Sequence, residues 1–223
     1  MTKKEKKARM AEIVSVLETV YPEATCALEY GGEPWRLLVM ARLSAQCTDA
    51  RVNVVCRELF AEYPTLDALA DAPIERIEEL IRPCGLFRTK ARSIKEACVL
   101  LRDRFEGRVP DTMEELLSLP GVGRKIANLL LGDIYGKPAV VADTHCIRIT
   151  GLLGLTDGTK DPGKVEQQLR KVLPPEESND FCHRMVLHGR AVCIARRPQC
   201  QSCTLRVWCD HFTAGQNGEN TEV

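Results

Sequence analysis

Leu119-Pro120-Gly121-Val122-Gly123 is the stretch that most restricts what this chain can fold into. A proline and two glycines around one valine force the backbone to reverse within a few residues. The next residues, Arg124-Lys125-Ile126-Ala127-Asn128-Leu129-Leu130-Leu131, are apolar enough to be a helix packed into a core. A tight hairpin therefore joins two helices here. The second helix, expected over 124–135, carries a lysine at its second position. The glycines need do no more than permit positive φ. They also let an anion approach the backbone N–H groups at the positive end of a helix dipole without interference from Cβ. Lys125 is ordinarily a solvated surface lysine. Here it lies on an apolar helix, beside Arg124 and a positive helix end. Desolvation and neighbouring charge would both favour the neutral, nucleophilic amine.

The rest of the chain carries helical periodicity almost throughout. Met10, Ile13, Val14, Leu17 and Val20 fall on one face of a first helix. Trp35 to Ala45 reads as a largely apolar helix at the centre of a core. Thr48 or Asp49 caps the next, whose Val52, Val55, Leu59 and Phe60 face inward. Short segments are expected at 65–70 and 73–81, the latter with Pro73 at its first helical position. A longer helix spans 88–105, and Thr112-x-x-Glu115 matches a capping box opening a short helix through Leu117. Further helices are expected over 144–153, 163–172 (after Asp161-Pro162) and 177–192. Asp143 is placed to cap the first of these. Only Ala139-Val140-Val141 hints at a strand, and no tandem repeat is present. The fold class expected is all-α.

With 223 residues the chain can bury one large core or two small ones. No apolar run approaches the roughly 18–20 residues that span a bilayer, so no membrane association is expected. The basic start, Met1-Thr2-Lys3-Lys4-Glu5-Lys6-Lys7, lacks the apolar segment and cleavage site of a secretory signal. A cytoplasmic protein is the expectation. Its 31 basic and 31 acidic residues balance, which counts against a globally basic polyanion binder. Distribution matters more than the sum. Arg190, Arg196, Arg197 and Arg206 lie between 190 and 209 with no acid among them, enough for a modest number of phosphate contacts.

Eleven cysteines without a secretory signal do not suggest a disulfide framework. Seven (26, 47, 56, 84, 98, 146, 182) sit in apolar helical segments and read mostly as small buried hydrophobes. Cys193, Cys200, Cys203 and Cys209 differ, because the residues between them are polar loop rather than core. A four-thiolate zinc site is one reading. Zinc ribbons, however, usually pair two Cys-x-x-Cys knuckles across a longer loop. One knuckle flanked by single cysteines suits a compact loop around a larger object, and a cubane iron–sulfur cluster takes four thiolates. Spacing favours iron–sulfur over zinc.

Taken together these pieces resemble the endonuclease III family. The match covers roughly residues 8–211. It comprises Leu43-Ser44-Ala45-Gln46 with Thr48-Asp49, Gly85-Leu86, Leu119 to Lys125 with Ala127-Asn128, Val141-Ala142-Asp143-Thr144-His145, Leu187-His188-Gly189-Arg190 and the cysteine spacing. The resemblance implies a two-domain helix–hairpin–helix DNA glycosylase fold with a C-terminal iron–sulfur cluster loop. Residues 26–137 would form a six-helix domain, 1–25 plus 138–213 a cluster domain, and 214–223 a disordered tail. It implies action on double-stranded DNA; a bacterial, nucleoid-associated protein is expected, with a monomer as the default. The reaction would be that of a bifunctional DNA glycosylase and abasic-site lyase of base-excision repair, removing oxidised or ring-damaged pyrimidines.

By the same resemblance Lys125 attacks the sugar and Asp143 is its carboxylate partner. Gln46 and Leu86 fill the gap and wedge the opposite strand. Gly121, Val122, Gly123, Arg124, His145, Arg190, Arg196 and Arg197 contact DNA, and Cys193, Cys200, Cys203 and Cys209 hold a [4Fe–4S] cluster. An adenine-removing branch carries serine where Lys125 stands, so this chain groups with the lyases. One departure lies at Pro83-Cys84-Gly85-Leu86-Phe87-Arg88-Thr89, where the family commonly has Ile before Gly-Leu and Tyr-Asn-Ser after it. Two other readings remain: an iron–sulfur redox protein that binds DNA without chemistry, and the same fold acting on another base, such as thymine mispaired with guanine.

Overall fold

The structure, a computed structural model, describes residues 1–219. Among the described residues the chain is helical with no strand. It forms two compact units, one of residues 26–135 and one that combines residues 1–25 with the chain from 136 onward. The helices run α1 (Lys3–Val20), α2 (Pro34–Leu43), α3 (Asp49–Glu62), α4 (Leu66–Asp71), α5 (Ile74–Ile81), α6 (Phe87–Phe105), α7 (Met113–Ser118) and α8 (Arg124–Tyr135). After these come α9 (Thr144–Leu152), α10 (Pro162–Leu169), α11 (Ser178–Ala191) and α12 (Asp210–Glu219).

Within residues 26–135, α2 is the core helix. Leu37, Leu38, Val39, Met40 and Leu43 are all essentially inaccessible, and the helix packs against α3, α6 and α8. A helix apolar on every side has no solvent face, so it is stable only when surrounded. Threonine hydroxyls open three other helices of this unit, α3, α4 and α7. Thr48 Oγ1 accepts from Arg51 N (3.4 Å), Thr65 Oγ1 from Ala68 N (3.1 Å) and Thr112 Oγ1 from Glu115 N (3.3 Å). Such caps contribute roughly 1 kcal/mol each.

In the other unit Met10, Ile13 and Leu17 of α1 are fully buried, and both α1 and α9 pack on α11. Asp143 caps α9 and Asp161 caps α10 through bonds to Cys146 N (2.7 Å) and Lys164 N (2.9 Å).

Several boundaries differ from expectation. α2 stops at Leu43, not Ala45, because Ser44 caps it and the chain turns through a positive φ of 56° at Gln46. Pro73 sits at the N-cap of α5, just outside it, where its missing N–H and fixed φ are equally tolerated. α10 ends at Leu169, and the turns after it are closed by bonds such as Leu173 N to Leu169 O at 2.8 Å. Val20, expected on the inward face of α1, is 40% exposed at its last position. Ala139 and Val140 are fully buried but in irregular backbone, not a strand. α12 runs through residues 214–219 of the stretch expected to be a disordered tail; residues 220–223 lie outside the described residues.

Candidate active site and cysteine loop

The hairpin is a type II turn. Pro120 occupies its second position, Gly121 its third with φ +78°, and Val122 N donates to Leu119 O at 3.1 Å. Its two glycines have different reasons to be there. A Cβ on Gly121 would lie 2.5 Å from Arg42 Nε and 2.9 Å from Ser93 Cβ, and those two side chains are themselves joined, Nε to Oγ, at 2.9 Å. Gly121 is therefore required by both turn geometry and packing. Gly123 has no positive φ, and a Cβ there would meet nothing within 4 Å. Its carbonyl accepts the first bond of α8, from Ala127 N at 2.9 Å. Only Gly123 leaves open space at the helix N-terminus, the place where an anion is favoured.

Val122 is buried beneath the turn, whereas Arg124 and Lys125 are exposed. The desolvation expected of Lys125 is thus not supplied by the helix that carries it. The first two residues of α8 precede its inward-facing positions, which begin at Ala127 and Asn128.

Three non-glycine residues in this unit hold left-handed backbone: Glu106, which caps the C-terminus of α6 with φ 52°, and two in other turns. Gln46 has φ 56° and is exposed; Leu86 has φ 47° and is 60% exposed. Each conformation costs on the order of 1–2 kcal/mol. A large exposed apolar side chain on a strained backbone gains nothing from folding of this unit. Beside Leu86, the Arg82 and Arg88 guanidinium carbons lie 4.9 and 5.3 Å from the Phe87 ring centroid. Two guanidinium groups therefore lie over Phe87, the residue that follows Leu86.

Beneath these turns lies a residue that the sequence reading missed. Lys90 is fully buried, and its Nζ donates to Leu43 O and to Cys84 O, each at 2.8 Å. Burial lowers its pKa, while the nearby thiols of Cys84 and Cys47 act the other way. A signal was present: Lys90 falls on the face of α6 that also carries Ile94, Ala97, Cys98 and Leu101.

In the second unit Asp143 is half-buried, with Oδ1 engaged as the α9 cap. His145 is half-buried against α11, where a Cβ on Gly189 would lie 2.3 Å from His145 Nδ1. This gives Gly189 a packing role that its place in the motif did not reveal. Arg148 reaches both ways, with Nη2 3.4 Å from His145 Nδ1 and Nη1 3.2 Å from Cys193 Sγ. Arg190, Arg196, Arg197 and Arg206 are all exposed.

Cys193 comes just after α11, Cys200 and Cys203 bracket a short 3₁₀ turn, and Cys209 closes another. All four line one cavity of about 230 Å³. Among the described residues no three Cys, His, Asp or Glu side chains are gathered as a metal-ion site. Burial raises the Cys193 and Cys203 thiols, and repulsion from the neighbouring sulfurs adds to it; Arg148 counters this at Cys193. His188, buried behind them, is 3.2 Å from Tyr21 Oη and 3.5 Å from Cys203 Sγ. Burial and then the Arg148 charge hold its imidazole down to about 4, so it is neutral at pH 7. Of the other seven cysteines, five are buried and Cys26 and Cys47 are half-buried; Cys98, in the core, is pushed up to about 12 by burial.

Residues 39–175 match the family model described as "HhH-GPD superfamily base excision DNA repair protein". The chain is 48% identical over 205 residues to Endonuclease III of Synechocystis sp., covering 92% of this chain and 93% of that one. It is 37% identical to Endonuclease III of Escherichia coli strain K12, covering 92% and 96%. The chain belongs to the Endonuclease III family. A solved non-covalent Endonuclease III–DNA complex has a TM-score of 0.88 at 38% identity, covering 97% of this chain and 99% of that one. A thermostable thymine-DNA glycosylase shares the fold, with a TM-score of 0.80 at 20% identity over 93% and 98% of the two chains. The helix–hairpin–helix architecture and the base-excision repair activity, which the resemblance implied, stand with this membership. No described helix is long and apolar enough to cross a membrane.

Proposed function

We propose that this chain excises oxidised or ring-damaged pyrimidines from duplex DNA and then cuts the abasic strand, with Lys125 as the nucleophile. The observation that carries this reading is an exposed amine on the first turn of α8, directly behind the open Gly123 position. The helix N-terminus and Arg124 hold a phosphate; the amine beside them meets the sugar of an extruded nucleotide. Because the unit leaves Lys125 exposed, bound DNA supplies the desolvation that makes its amine reactive.

The Nζ lone pair forms a bond to C1′, and the base departs with the electrons of the glycosidic bond and a proton. Loss of a proton from nitrogen and opening of the sugar give a Schiff base. Removal of a 2′ proton then drives the C3′–O bond to break, so the strand is cut on the 3′ side. Asp143 stabilises the positive charge that develops on the sugar and accepts protons. Capping α9 engages Oδ1 and leaves Oδ2 for that work. Gln46 and Leu86 enter the duplex as the nucleotide leaves it. Their exposed, strained turns fit that task, since insertion covers surface that folding left in water.

Cys193, Cys200, Cys203 and Cys209 suit a [4Fe–4S] cluster: four sulfur donors around one cavity, with the Arg148 cation against one of them. The cluster would bind the loop together and hold Arg196 and Arg197 toward phosphates. Activity on chromosomal duplex places the protein at the nucleoid.

Borohydride reduction in the presence of duplex containing an abasic site or thymine glycol tests the reading. The wild-type chain becomes covalently attached to DNA, and Lys125→Ala does not. Equal trapping by both proteins would remove Lys125 from the reaction and assign the Schiff base to another amine, whereas no trapping of wild type would leave a DNA binder without chemistry as the better account.

A further inference from the structure

The proposed chemistry makes no use of Lys90, the most deeply buried charged group in its unit. A buried lysine has to find partners, because an unpaired ammonium in a core costs several kcal/mol. The identity of those partners is the informative part. Leu43 O is the carbonyl of the last residue of α2, three residues before Gln46; Cys84 O lies two residues before Leu86. The backbone N–H of Lys90 donates to Leu86 O itself, at 3.0 Å. One residue therefore bonds the carbonyls that lead into both left-handed turns, using the ammonium as a clasp between them.

We infer that Lys90 is a positioning residue: it holds the Gln46 and Leu86 turns in a common, strained geometry before DNA arrives. The position of the ammonium supports this. It sits at the C-terminal end of α2, where the helix dipole favours a cation, and its two bonds are short and charge-assisted. Gln46 and Leu86 hold φ values that an unconstrained chain leaves readily. Nothing in their own side chains fixes them, as both are exposed. Restraint at the carbonyls upstream supplies what the side chains do not. The two insertion tips are thus set relative to each other, so that filling the vacated gap and wedging the opposite strand occur in register.

The inference rests on Gln46 and Leu86 entering the duplex, and the test separates the two ideas. Lys90→Met keeps the length and apolar stem and removes both bonds. Single-turnover excision of thymine glycol from duplex is expected to fall about 100-fold, the scale of an ångström-sized misplacement. Borohydride trapping on a single-stranded abasic oligonucleotide, which requires no insertion, is expected to stay within about twofold of wild type. In a Gln46→Ala/Leu86→Ala background, Lys90→Met is expected to have little further effect on duplex excision. If Lys90→Met does not fold, Lys90→Gln, which keeps a donor, takes its place in the same three arms.

Equal loss on duplex and single strand would show that Lys90 only supports the fold and would overturn the inference, as would a fully additive effect in the double background. Undiminished duplex excision by Lys90→Met, alongside a loss in Gln46→Ala/Leu86→Ala, would overturn it alone. Wild-type excision by Gln46→Ala/Leu86→Ala would sink the insertion reading, and this inference with it.

Discussion

Two lysines near the starts of α6 and α8 illustrate how one side chain serves opposite ends. Lys90, the fourth residue of α6, is inaccessible and bonded to two carbonyls. Lys125, the second of α8, is exposed on the turn that faces open space at Gly123. Both belong to helices with an apolar face, and neither is distinguishable from the other by residue type. The difference is angular. Lys90 lies in line with Ile94 and Leu101, so the face that buries α6 buries it as well. Lys125 precedes Ala127 and Asn128, where α8 first turns inward. A lysine drawn into a core becomes part of the scaffold. One left at a helix N-terminus keeps a mobile amine for chemistry.

The comparison breaks most sharply under substitution of each lysine. Lys125→Ala is expected to remove covalent trapping altogether while changing folding stability by no more than about 0.5 kcal/mol, as for other exposed sites. Lys90→Met is expected to do the reverse to the fold. It strands two buried carbonyls, at about 1–3 kcal/mol each, so urea melts should show a clear loss. If the two variants were equally stable, the contrast in burial would carry no energetic weight.

The hairpin glycines extend the same contrast. Gly121→Ala forces a Cβ against Arg42 and Ser93 at a positive φ, and a loss of about 2 kcal/mol is expected in thermal melts. Gly123→Ala meets no neighbour and should leave stability within about 0.5 kcal/mol. Its effect is expected in DNA affinity, measured by anisotropy at fixed salt. A stable Gly121→Ala variant would return both glycines to a single explanation.

Asp143→Asn sharpens the division between scaffold and chemistry within one residue. Asparagine caps helices about as well as aspartate, so stability should move by only a few tenths of a kcal/mol. Excision should nevertheless fall, because the amide neither balances sugar cation charge nor takes a proton. Unchanged excision would make Asp143 a cap and nothing more.

The smallest effect concerns pH. Burial lowers the pKa of Lys90 in the fold, so the unfolded chain binds its proton more tightly. Stability from this group is therefore diminished below the lowered value and recovers as pH rises toward the ordinary lysine range. Wild type should gain on Lys90→Met in denaturant midpoint as pH climbs from neutral through that window. A gap that shrinks instead would show that the two carbonyl bonds outweigh burial and hold the ammonium charged.

Much of this molecule was legible before its structure. The apolar spacing of α1 and α3, the caps at Thr48, Thr112, Asp143 and Asp161, and the reversal at Pro120-Gly121 are local facts. They depend on residues three or four apart, and the chain states them wherever it lies. The candidate site residues were readable for the same reason, since Leu119 to Lys125 and the four cysteines are contiguous motifs whose chemistry derives from residue type and spacing.

Burial is a different matter. That Lys90 clasps Leu43 to Cys84, 47 and 6 residues away, that Gly121 is wanted by Arg42 as much as by its turn, and that Gly189 makes room for His145 are decided between segments far apart in the chain. So is the exposure of Lys125, which its apolar neighbours argued against. Local hydrogen bonding and side-chain spacing belong to the sequence by itself. Which polar groups a core must satisfy, and where a Cβ has no room, depend on what other helices bring alongside, and only the tertiary structure decides that.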